Sequence, residues 1–95
     1  MNLDMLAKET LEGRRSFKKL VEHNLDDARK QHPPMHSFHE GLCVIWEEFE
    51  ELKQEVFKKN VDKQAMLKEL SQIAACCHRF AEDCLKTKDP EALHK

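Results

Sequence analysis

Glu47-Glu48-Phe49-Glu50-Glu51 places four glutamates in one five-residue run, and a further acid, Glu69, opens the apolar part of the segment that follows. On a helix, Glu48 and Glu51 stand one turn apart and project from the same face, where two carboxylates repel unless something positive sits between them. A magnesium ion answers that arrangement. It is a small hard cation that takes carboxylate oxygens and leaves water and substrate phosphates to fill its remaining positions. Glu48, Glu51 and Glu69 are therefore the candidate metal ligands.

Other reactive residue types point elsewhere. Cys43, Cys76, Cys77 and Cys84 show no Cys-x-x-Cys spacing, and adjacent Cys76 and Cys77 point in different directions on a helix. They are expected to be small buried hydrophobes rather than zinc ligands or disulfide partners. His32, His36 and His39 form a second cluster, but Pro33-Pro34 intervenes, and a capping or surface role is expected over transition-metal binding. His78 is expected to be a partly exposed helix residue. No nucleophile has a spacing that identifies its base, so no Ser-His-Asp or Cys-His arrangement can be argued.

The elements that must position the acids are helices. Two glycines, three prolines and no tyrosine accompany an excess of good helix formers, which makes the chain all-α. A first helix is expected from a cap at Asn2 or Asp4, kinked at Gly13 and split at His23-Asn24, and ended by His32-Pro33-Pro34. Ser37 with Glu40 reads as a capping box opening a second helix from Phe38 to about Lys58. Its apolar stripe is Phe38, Leu42, Ile45, Trp46, Phe49, Leu52 and Val56, within an arc of roughly 120° at about 100° per residue. Glu40, Glu47, Glu48, Glu51 and Glu55 share a separate arc. Trp46 and Phe49 fall mid-stripe, so core packing is expected of them rather than stacking on a base. Asp62 caps a third helix to about Leu85, with the stripe Met66, Leu70, Ile73, Ala74, Cys77, Ala81 and Cys84. Lys88-Asp89-Pro90 stops it.

Composition narrows the function classes. Ninety-five residues make one domain, spanning 1–95, in which three or four helices enclose limited apolar area, so a homodimer or homotetramer is expected. A net charge of -2 with 36% charged residues carries no basic excess to follow a nucleic-acid backbone. No apolar run approaches the roughly 18 residues of a membrane span and no signal segment opens the chain, so a cytoplasmic protein with no membrane partner is expected.

Over roughly Asp26 to Leu85 the chain resembles the MazG-like all-α nucleotide pyrophosphohydrolases, particularly small phage and prophage versions. That family's metal motif is two glutamates three apart on one helix and a Glu-x-x-Asp on the next. Glu48-Phe49-Glu50-Glu51 is similar to the first half, inside Glu47 to Leu52, and Glu69-x-x-Gln72 to the second. His36-Ser37-Phe38-His39-Glu40-Gly41 with Val44-Ile45, and Ala74-Ala75 with Arg79-Phe80 and Asp83, extend the likeness. The resemblance implies a Mg2+-dependent hydrolase converting a nucleoside triphosphate to the monophosphate and pyrophosphate, with Glu47, Glu48, Glu51, Glu69 and Gln72 around the metal. Gln72 departs from the pattern, since its amide can coordinate but brings no charge; Glu47 or Asp83 could compensate, although Asp83, roughly 16 Å along the axis, cannot replace it locally. Lys53, Lys59, Lys63, Lys68 and Arg79 are available for phosphates. The alternatives are a non-catalytic helical interaction module and a nucleotide-binding protein with a degenerate metal site.

Overall fold

A computed structural model describes residues 3–86 of the chain, with side chains from residue 8 onward. These residues form three α-helices with no strand among them: α1 (Leu3–Gln31), α2 (Phe38–Val56) and α3 (Lys63–Phe80), which runs on through a π-helical turn at Ala81–Leu85. The expected all-α architecture holds. Asp4 lies within α1 and is not its cap, while Asn2 and the Lys88-Asp89-Pro90 stop fall outside the described residues.

The expected split of α1 does not occur. Its 29 residues run continuously through Gly13 and His23-Asn24. Asn24 is instead tied into the fold, its side-chain amide donating to Ser71 Oγ at 2.6 Å, and His23 pairs with Asp27 at 3.2 Å one turn on. The helix closes with the His32 N–H on the Ala28 carbonyl, just before the two prolines.

Both later helices start at the expected caps. Ser37 is extended and its hydroxyl accepts from the Glu40 N–H at 3.0 Å; the Glu40 carboxylate reaches back to the His36 N–H at 2.8 Å, one residue earlier than in a regular capping box. The Asp62 carboxylate accepts from the N–H groups of Gln64 and Ala65. At its far end α3 widens into the π turn, which closes with Lys86 in the left-handed region at φ 52° and ψ 37°. The wider turn re-aims Asp83, whose carboxylate takes the Arg29 guanidinium at 2.8 and 2.9 Å and the Met35 N–H at 2.8 Å. That joins α3 to both α1 and the Pro33-Pro34 connection.

α3 is the central element, packing on α1 and on α2. Its buried face is Ser71, Ala75, Cys76 and Arg79, with Val21 and Met35 buried opposite. This overturns the expected core. Phe38, Leu42, Trp46 and Phe49 are 60, 54, 61 and 53% exposed, Val56 and Leu70 are exposed too, and Ile45, Leu52, Met66 and Ile73 are half-buried. The cysteines divide likewise, with Cys76 buried, Cys84 half-buried and Cys43 and Cys77 exposed. The physical reason is helix number: α3 spends one side on α1, and nothing among the described residues covers the outer face of the α2–α3 pair.

Candidate metal centre

Glu48 and Glu51 project from one face of α2, and Glu69 reaches toward them from the first half of α3. One carboxylate oxygen of each lies within 4.8 Å of the other two, and among the described residues this is the only group of three or more His, Cys, Asp or Glu side chains so placed. The three acids expected to act together are thus brought together across two helices. Glu48 and Glu69 are half-buried and Glu51 is exposed. Glu48 Oε2 and Glu69 Oε2 are buried without a hydrogen-bond partner. Unpartnered anionic oxygens are costly in dry surroundings, and the proton affinities record that cost. Burial, then the charges of Glu51 and Glu69, then hydrogen bonding of the protonated form to both, push the Glu48 carboxyl up from its ordinary 4.5 to about 7. Glu69 is also raised, by burial first and then by hydrogen bonding to Glu51 and its charge, with Lys68 opposing.

Glu47 stands outside the group of three. Glu47 and Gln72 line a cleft of about 430 Å³ between the three helices, together with Glu48, Cys76 and Arg79 and, from α1, Asn24 and Asp27. Glu48 therefore belongs to both the acidic group and the cleft. Asp83 is taken up by Arg29 and Met35 and cannot compensate for Gln72. Burial is the largest influence on its carboxyl and pushes its pKa up, but the Met35 N–H and the Arg29 and Arg79 charges outweigh it and hold the group below its ordinary value.

Of the basic candidates, Lys53, Lys59, Lys63 and Lys68 are exposed and away from the cleft, and Arg79 alone lines it. Trp46 and Phe49 do not line it either. The histidines stand as expected: His32, His36, His39 and His78 are exposed, His36 beside Glu40 at 3.6 Å and His78 beside Glu82 at 3.3 Å. One residue was missed as part of the acidic group. Glu55 has a buried, unpartnered Oε2, takes Lys58 on Oε1 at 2.6 Å, and adds to the upward push on Glu69. Its place four residues after Glu51, on the same arc, was the available signal. The contribution of α1 to the cleft had no such signal.

In comparisons with known proteins, no protein-family model, curated protein or solved structure matches the chain. What the arrangement can do chemically rests on its own residues. Three carboxylates from two helices make an all-oxygen donor set, which suits a hard divalent cation rather than a thiolate- or imidazole-seeking metal.

Proposed function

We propose that the chain is a Mg2+-dependent nucleoside triphosphate pyrophosphohydrolase, similar to the MazG-like enzymes, that acts on an NTP or dNTP as a cytoplasmic homodimer or homotetramer. The observation that carries this is the convergence of Glu48, Glu51 and Glu69, with two of their oxygens buried and unpartnered. An acidic run on a solvated helix leaves its carboxylates splayed into water. Here a third carboxylate comes across from another helix, and desolvation and mutual repulsion together raise the proton affinity of two of the three. A divalent cation relieves both effects.

Glu48, Glu51 and Glu69 would hold that cation, with positions left for water and phosphate. When bound, it would supply neutralisation of phosphate oxygens and a water of lowered pKa. Glu51, the exposed member, would accept a hydrogen bond from the water that adds across the α–β anhydride, releasing monophosphate and pyrophosphate. The cleft shares Glu48 with the cluster, so a substrate seated there would present its phosphates to the carboxylates. Without a cation the same face repels the substrate.

The test is pyrophosphate release from a panel of nucleoside and deoxynucleoside triphosphates with Mg2+. Release by the parent that Glu48→Gln and Glu51→Gln each reduce by 100-fold or more is the expected result. Gln72 and the exposed apolar face of α2 favour the second possibility, an interaction or nucleotide-binding protein with a degenerate site. It predicts no release from any substrate and, for a pure interaction module, no effect of Mg2+ on the melting temperature.

A further inference from the structure

Arg79 is the only buried charged side chain among the described residues, 7% exposed, and the nearest acid on its own helix, Asp83, is held by Arg29 instead. Its Nε has no hydrogen-bond partner, its Nη2 makes a long 3.5 Å bond to the Pro33 carbonyl, and the guanidinium also lies within reach of the Cys76 thiol. Asp83, one turn away, would be the natural partner. Arg29 holds both Asp83 oxygens and the Met35 N–H takes one of them as well. Arg79 does not lack surroundings, because it lines the cleft that also contains Glu48. A guanidinium donates through a planar fork, and a buried fork with an unused Nε–H on a residue that lines a cleft calls for an acceptor that the protein does not supply.

Glu69, Gln72, Cys76 and Arg79 follow one another at steps of three, four and three, so they form a single line along α3. Glu69 stands at the acidic end and Arg79 roughly 15 Å along the axis at the other. Helical side chains lean toward the N-terminus, which carries the Arg79 guanidinium back toward the acids and shortens the gap. The Cys76 thiol between them feels both ends: burial and then the Glu48 charge push it up to about 11, while Arg79 opposes them.

The acceptor's class follows from its neighbours. Asp27, Glu40, Glu47 and Glu48 also line the cleft, and their charges disfavour a small free anion there. An oxyanion tethered to a group already neutralised at the Glu48 end meets no such obstacle. We propose that Arg79 is a phosphoryl-binding residue, taking through Nε and Nη a phosphate of a polyphosphate whose other phosphates lie beside the carboxylate cluster. This rests on the cation site proposed above, and it assigns the far end of the same cleft.

Binding of an α,β-methylene nucleoside triphosphate and of inorganic tripolyphosphate, each with Mg2+, is measured for the parent, Arg79→Gln and Arg79→Lys. Arg79→Gln should weaken both ligands at least tenfold, and Arg79→Lys, which keeps the charge and loses the fork, should fall between. The Mg2+-induced rise in melting temperature should stay unchanged, separating phosphate binding from metal binding. Weakening confined to the nucleotide analogue identifies the nucleotide as the source of the phosphate. Equal affinity in parent and Arg79→Gln overturns the proposal and leaves the metal site standing.

Phenylglyoxal labelling of the parent, mapped by peptide mass spectrometry, covers a variant that fails to fold. Protection of Arg79 by tripolyphosphate, with exposed Arg14 and Arg15 still labelled, supports the assignment. No labelling of Arg79, or labelling indifferent to ligand, sinks it. Should the parent show no pyrophosphate release, the hydrolase fails, and protection of Arg79 by tripolyphosphate added with Mg2+ still decides this proposal.

Discussion

At the Glu48 carboxyl, burial and two acidic neighbours act in the same direction, and the result is a group that releases its proton near neutrality rather than near its ordinary 4.5. The sign of the linkage follows. The folded state binds this proton more tightly than the unfolded chain, so the contribution of Glu48 to the stability of the cation-free protein is fully present below about pH 4.5 and is lost as pH rises through about 7. Glu69, shifted in the same direction, adds to that slope. Much of Glu48 still faces solvent, so screening reduces the size of the effect without changing its sign. In EDTA, the melting temperature of the parent should fall between pH 5 and pH 7.5 more steeply than that of Glu48→Gln, and Mg2+ should remove most of the difference. Taking the difference between the two proteins isolates the contribution of Glu48. Parallel profiles for parent and variant would mean that Glu48 ionises as an ordinary surface acid.

At the scale of the elements, α2 makes room for a ring of α3 where it has no side chain. Gly41 is buried, and a Cβ there would overlap the Phe80 ring, which itself stacks on Phe38 at a centroid distance of 6.2 Å and an interplanar angle of 12°. Gly41→Ala would gain helix propensity but must displace the ring. Overpacking of this kind costs about 1–3 kcal/mol and outweighs the roughly 1 kcal/mol gain in propensity. Chemical denaturation should show a net loss of stability, with Gly41→Ala/Phe80→Leu recovering part of it; a more stable single variant would show that the ring moves freely. This contact was not legible in the sequence, where Gly41 looks like any helical glycine. The caps at Ser37 and Asp62, the break at Pro33-Pro34 and the shared face of Glu48 and Glu51 were legible, because each depends on residues within one helical turn. The approach of Glu69 could be anticipated only by likeness to a family. The π turn, the capture of Asp83 by Arg29 and the burial of Arg79 depend on which face of α3 meets α1, and no local pattern encodes that choice.

At the scale of the molecule, the outer face of the α2–α3 pair bears on what the functional unit is. Phe38, Leu42, Trp46, Phe49 and Val56 recur at steps of three, four and seven along α2, and Leu67 and Leu70 add to the exposed apolar surface on α3. A second copy of the chain is the proposed occupant, since two amphipathic faces related by a two-fold axis cover each other without any further partner. Light scattering coupled to size exclusion should give a mass of two or four chains, and Trp46→Glu with Phe49→Lys should reduce it to one while lowering the melting temperature of dilute samples most. Trp46, the single tryptophan, reports the same event independently: its emission should shift to longer wavelength on dilution of the parent as the interface opens to water. A monomer at all concentrations with water-exposed Trp46 emission would leave this face without a self-partner and would favour the interaction module over the enzyme.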